Sequence, residues 1–152
     1  MPSLILLLIG GLVLYILLRN LFSDSRIKAV PARNSDVQKS TIVFEDYTPQ
    51  TLVKFNGKDH PKILIAVNRK VYDVSKGANF YGPGAPYHNF AGRDASRGLA
   101  YNSFDSEVLT DIDKPIDPLD DLSPAERDSL DQWESRLAAK YTLCGRLVEH
   151  EP

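Results

Sequence analysis

The chain has 152 residues and carries 18 Lys and Arg against 20 Asp and Glu, a net charge of −2, which leaves no basic footprint for nucleic acid. Its single cysteine, Cys144, excludes an intrachain disulfide and suits a reducing compartment. The sequence has no paired Cys-x-x-Cys, phosphate loop or hydrolytic triad, so it is not expected to be an enzyme.

Leu4–Leu18 (LILLLIGGLVLYILL) is free of charge. With Met1–Ser3 and Leu21-Phe22 as margins it stretches to the roughly 17–22 residues that cross a hydrocarbon core as helix. Residues 1–22 are therefore expected to form a transmembrane anchor. A cleaved signal peptide fits less well, because no Lys or Arg precedes the run and no clean small-x-small site follows it. Arg19, Arg26, Lys28 and Arg33 all lie after the span, which puts the following domain in the cytosol. The short span also suits the thin bilayer of the endoplasmic reticulum. Residues 23–43 are mostly polar, contain Pro31, lack an apolar period and read as a tether.

A folded domain is expected over 44–148, with 149–152 as a tail. Thr48-Pro49 is an N-cap followed by a first-turn proline; Leu52, Val53 and Phe55 give an apolar side before Asn56-Gly57 stops the helix. Ile63–Val67 and Val71–Val74 are β-rich runs on either side of Asn68-Arg69-Lys70 and predict a hairpin. Asp94 is placed to cap a short helix through Ala100, and Asp105 or Ser106 another to about Leu109, before Pro115 and Pro118 break the chain. Ser123-Pro124-Ala125-Glu126 is a capping box that opens a helix to about Lys140, with Leu130, Trp133 and Leu137 on its core side. Tyr141–Val148 reads as a closing strand in which Cys144 is a buried small hydrophobe. Strands, then short helices, then a last strand make an α+β domain.

Within Val71–Ala100, two tyrosines, Tyr81 and Tyr87, flank Gly82-Pro83-Gly84-Ala85-Pro86, and the loop continues into Phe90-Ala91-Gly92-Arg93-Asp94-Ala95-Ser96-Arg97-Gly98. This run closely resembles the membrane-associated progesterone receptor family, whose domain is a variant of the cytochrome b5 fold and binds haem through a tyrosine. The resemblance covers roughly Phe44–Val148. It implies a b-type, non-covalent haem with Tyr87 as the iron ligand, Tyr81 bordering the pocket, and Asp73, Lys140 and Tyr141 contributing to the haem environment. Each has a plainer reading as well: Tyr81 as a core aromatic, Asp73 as the cap of the turn at Ser75-Lys76-Gly77, and Lys140 as a charge at a helix end. Tyrosine is a legitimate haem ligand. Its phenol is protonated near neutral pH when free, with a pKa of about 10, yet a metal at bonding distance favours the deprotonated oxygen.

The chain departs from the two-histidine pattern of ordinary cytochrome b5. His60-Pro61 is followed by no glycines and reads as a surface turn, His88 is the rival to its neighbour Tyr87, and His150 falls near the end. Arg93, Asp94 and Arg97 are expected to form a local charge network at the start of the helix. At the level of function the resemblance, and its fungal damage-resistance branch in particular, implies an accessory protein of the endoplasmic reticulum membrane. Such a protein stabilises or regulates haem-thiolate monooxygenases of sterol synthesis, with a sterol ligand and a haem-mediated homodimer as further implied partners. An electron carrier like cytochrome b5, or a haem-free sterol-binding scaffold, is the alternative.

Overall fold

The hairpin at the centre of the domain follows from its turn. In the computed structural model, which describes residues 43–150, Asn68 and Arg69 both take left-handed backbone angles, φ 49° and 61°. That is the two-residue geometry that matches the twist of paired strands. It joins β2 (Leu64–Val67) to β3 (Lys70–Asp73) in antiparallel register, Leu64 opposite Asp73 and Val67 opposite Lys70. β3 pairs in turn with β4 (Thr142–Leu147), with a bulge at Val71/Tyr72, and β4 runs parallel to the short β1 (Glu45–Tyr47). The sheet order is β1-β4-β3-β2.

Every residue of β2 is buried because both faces of the sheet are covered. Alternate residues separate into two cores. Ile65, Val67, Tyr72 and Val74 pack with Phe90, Leu99, Leu130 and Leu137, whereas Leu64, Ala66 and Val71 pack with Tyr47, Leu52 and Leu147. The outer edge of β2 is closed by the segment after the tyrosine loop: Gly92 N–H donates to Leu64 O at 2.7 Å and Ala66 N–H to Arg93 O at 2.9 Å. Gly92 is required there, since φ is +70° and a Cβ would run into the carbonyl oxygen of Val53.

Four α-helices complete the domain: α1 (Pro49–Leu52), α2 (Ala78–Tyr81), α3 (Ser96–Tyr101) and α4 (Pro124–Lys140), with 3-10 turns at Ser75–Gly77, His88–Phe90 and Ser106–Val108. Of the expected N-caps, Thr48 on α1 and Ser123 on α4 are present, each in a full capping box, whereas Ala95 rather than Asp94 stands at the N-cap of α3, without a side-chain cap. Leu130 and Leu137 are buried as the stripe requires, and Trp133, half-buried, donates its Nε1–H to Asn102 Oδ1 at 2.9 Å. α1 is one turn long and ends before Asn56, and the stretch after Asp105 forms a 3-10 turn without a side-chain cap.

The expected Arg93/Asp94/Arg97 network does not form as such. Arg93 donates to Thr110 O at 2.6 Å, Asp94 accepts from Ser96 N–H and Oγ, and Arg97 reaches forward to Asp117 and Asp121. No helix among the described residues is long and apolar enough to cross a membrane. The anchor expected at 1–22 and nearly all of the tether lie outside the described residues.

Candidate functional site: a tyrosine cluster on an aromatic face

Asp73, at the end of β3, accepts from Ser75 N–H at 3.0 Å and Ser75 Oγ at 2.5 Å. The carboxylate therefore caps the Ser75–Gly77 turn. That turn feeds directly into α2, which ends on Tyr81, so Asp73 sets the direction in which the aromatic segment leaves the sheet. The loop after α2 is tied back at three points: Gly82 N–H to Ala78 O at 2.8 Å, Ala85 N–H to Gly82 O at 3.0 Å and Tyr87 N–H to Phe80 O at 2.8 Å. The last of these places Tyr87 beside Phe80 and Tyr81. Phe90, fully buried, then pins the far end of the loop in the core.

Three of the tyrosines singled out by the sequence come together. The Tyr87 ring centroid is 6.2 Å from that of Tyr81, which is 6.2 Å from that of Tyr141 in an edge contact. Tyr81 is buried and Tyr87 and Tyr141 half-buried. Burial, and then the nearby Tyr141 and Tyr87 phenols, push the Tyr81 hydroxyl up to about 12, so it remains a proton donor. Lys140, the last residue of α4, holds its ammonium 5.0 Å from the Phe80 ring centroid and 5.3 Å from that of Tyr141. All three tyrosine rings pack against the main core cluster.

The sequence reading did not single out four further contributors. Phe104 stacks on Tyr87 with centroids 4.2 Å apart and planes inclined by 21°. Phe80 stays 45% exposed, leaving an apolar surface open beside the tyrosines. Asn89 donates through Nδ2 to Phe104 O at 2.5 Å. Gly77 leaves the space occupied by the Tyr141 hydroxyl, into which any Cβ would collide. Phe80 was within reach of the sequence, being next to Tyr81. Nothing in the pattern around Phe104 marks it.

The histidines stand elsewhere. His60 meets Phe55 in a tilted contact, ring centroids 4.6 Å apart, and its Nδ1 accepts from Lys62 N–H at 3.1 Å. His88 is exposed, donates Nδ1–H to Ala85 O at 2.8 Å, and lines a groove to which Tyr87 does not contribute. Cys144 is half-buried, and burial pushes its thiol up to about 11, so it is not an activated nucleophile. Among the described residues no group of three or more His, Cys, Asp or Glu is placed to hold a metal ion by itself. A metal at the tyrosine cluster would therefore need most of its ligands from a cofactor. The cluster suits one such group: a half-buried phenol as single donor, flat aromatic surface beside it, and an ammonium at the rim for an acidic substituent.

Residues 48–144 match the family of cytochrome b5-like heme/steroid binding domains. The chain is 44% identical over 106 residues to a cytochrome P450 regulator, dap1, of Schizosaccharomyces pombe, the match covering 69% of this chain and 64% of that one. It is 45% identical over 104 residues to human membrane-associated progesterone receptor component 2, covering 68% of this chain and 45% of that one. The matched segment thus spans between about half and two-thirds of these relatives. An Arabidopsis thaliana protein of solved structure, described as having a cytochrome b5 like fold, superposes with a TM-score of 0.61 at 36% identity, over 70% of this chain and 93% of that one. Sequence match and fold agree: the chain belongs to the cytochrome b5-like heme/steroid binding domain family.

Proposed function

We propose that the protein binds b-type haem non-covalently on the tyrosine face and acts as a membrane-anchored accessory protein of haem-thiolate monooxygenases in sterol synthesis, at the cytosolic side of the endoplasmic reticulum. The observation that carries the haem reading is the half-buried Tyr87, stacked on Phe104 and adjoining Tyr81 and the exposed Phe80. The monooxygenase reading is supported by the similarity to the fission-yeast regulator, which is named for cytochrome P450.

Haem, when bound, supplies a ferric centre within a flat apolar plate. Tyr87 would hold the iron through its Oη as the phenolate. Tyr81, whose hydroxyl burial pushes up to about 12, would serve as a hydrogen-bond donor beside it. Tyr141, between α4 and β4, would border the group beyond Tyr81, and Lys140 would offer its ammonium to a propionate. Asp73 serves the site by fixing the turn beneath it. A phenolate neutralises Fe(III) better than Fe(II), so a site built this way retains ferric haem and relays electrons poorly. That property favours an accessory role over an electron carrier.

The test is a visible-absorption titration of the full chain in detergent micelles with ferric haem, circular dichroism serving as the folding control. Tyr87→Phe is expected to lose most ferric haem with its fold intact, His88→Ala to keep it, and chemical reduction to loosen haem in the wild type. A normal ferric spectrum in Tyr87→Phe, or reversible cycling at a potential typical of bis-histidine cytochromes, rejects the tyrosinate site and substitutes the electron-carrier reading.

A further inference from the structure

The groove lined by His88 has a chemistry of its own. It encloses about 340 Å³ between the turn after α1 and the Pro83–Asn89 stretch, and its walls include Val53, Lys58, Pro83, His88, Ala91 and Arg93. No acidic residue lines it. Lys58, His88 and Arg93 take part in none of the ion pairs among the described residues, whereas Arg69, Lys70, Arg97 and Arg146 are all matched with carboxylates. Two of the three polar groups are held in place before any ligand arrives. Arg93 is half-buried and anchored through one Nη to Thr110 O at 2.6 Å, and the His88 ring is fixed through Nδ1 to Ala85 O at 2.8 Å with Nε2 left free. The rim at Gly84 is open, with nothing within 4 Å of where a Cβ would stand. On a chain of net charge −2 this is a local positive concavity with an apolar floor.

We propose that this groove docks an acidic segment of a partner protein, with its carboxylates taken by Arg93 and Lys58 and, when the imidazole carries both protons, by Nε2–H of His88, and its aliphatic stems laid on Val53, Pro83 and Ala91. Charge complementarity selects the occupant. The polar groups come from two separate stretches of chain on either side of a hollow, a form that extended side chains fill and a flat lipid surface does not. A free phosphate would leave the apolar floor uncovered. Because the fixed Arg93 and His88 lose little freedom on binding, the entropic cost of docking falls mainly on the peptide. The groove adjoins the proposed haem face through Asn89, whose side chain ties Phe104, but none of the residues proposed to touch haem lines it, so docking does not rest on that assignment and is expected with and without haem.

The full chain in detergent micelles, haem-free and haem-loaded, is titrated at low salt with a short fluorescent peptide alternating Glu and Leu, read by anisotropy. Parallel titrations use the same peptide with Gln for Glu, and vesicles of phosphatidylcholine and phosphatidylserine. The Glu peptide should bind saturably in both states. Lys58→Glu combined with His88→Glu should weaken it about tenfold or more, equivalent to roughly 1.4 kcal/mol, while leaving the Arg93 to Thr110 bond in place. Lys58→Gln with His88→Gln, a milder pair should the first misfold, should move affinity in the same direction. Arg136→Glu on α4, away from the groove, should leave it unchanged. Equal binding of the Gln peptide, indifference to both pairs with an unchanged circular dichroism spectrum, or capture by the vesicles and not by the peptide overturns the proposal.

Discussion

Phe104 is the residue on which the position of Tyr87 depends most directly, because their rings stack 4.2 Å apart and Phe104 itself is tied down by the side chain of Asn89. Asn89→Ala removes that tie. A neutral hydrogen bond contributes about 1 kcal/mol net, so the variant should melt slightly earlier. If Phe104 orients Tyr87, ferric haem affinity should also fall several-fold, whereas His88→Ala, one residue earlier, should leave it unchanged. Thermal melting of the haem-free protein and a haem titration separate the two effects; lost stability with undiminished affinity would show that Asn89 only braces the loop. Tyr81, Tyr87, Lys140 and Tyr141 were legible in the sequence because they sit in contiguous motifs that resemble a known site. Asn89, Phe104 and Gly77 were not, since each acts through a neighbour that only the folded chain supplies. The Phe104 stack spans 17 residues of sequence and the Gly77 clearance serves a tyrosine 64 positions away.

The elements whose start is written in a few adjacent residues were the legible ones. Ser123-Pro124-Ala125-Glu126 forms the capping box of α4, and the Asn68-Arg69 turn forms the hairpin. β1 had no such signal: it is three residues long and is held by β4, with Glu45 opposite Gly145. α2, with four residues, is likewise set by the turn before it rather than by an apolar period. The long connection from α3 to α4 has little regular structure and is stapled by Arg97, which donates through Nε and Nη2 to Asp117 at 2.5 and 2.8 Å and through Nη2 to Asp121 at 2.7 Å. The side chains of Arg97 and Asp117 are only 21% and 11% exposed, so this pair is worth more than a surface bridge. Arg97→Ala should cost about 2 kcal/mol near neutral pH, the size of a charge-assisted hydrogen-bonded contact. Hydrogen bonding from Arg97 holds the Asp117 carboxyl below its ordinary value. Its contribution is therefore complete above the unfolded carboxylate value of about 3.9 and is lost as pH falls through the lowered folded value. Urea unfolding of both proteins at about pH 7 and about pH 3 should show the gap narrowing in acid. A gap that stays constant or widens there assigns the effect of Arg97 to packing instead.

At the scale of the whole molecule, the basic residues after Leu18 carry the expectation that residues 44–148 face the cytosol. Protease added to sealed microsomes should digest the domain, and full protection of it rejects that orientation. The second expectation joins the site to assembly. The chain has three histidines, and His60 is engaged with Phe55, His88 lines the separate groove, and His150 lies three residues beyond the end of β4. None belongs to the tyrosine cluster, so Tyr87 stands as a single donor with no imidazole of the same chain to answer it from the other side. A ligand plate held from one side keeps its opposite surface open, next to a Phe80 that is already 45% exposed. An open apolar surface of that kind gains by meeting its own copy, since each face then covers the other and a two-fold arrangement closes without leaving a sticky edge. Haem loading of the detergent-solubilised full chain should raise its sedimentation mass from one copy to two, and Tyr87→Phe, which is expected to lose haem, should stay monomeric under the same conditions. A monomer with and without haem, at protein concentrations far above haem affinity, refutes face-to-face pairing; a dimer that persists in haem-free Tyr87→Phe places the contact elsewhere on the chain.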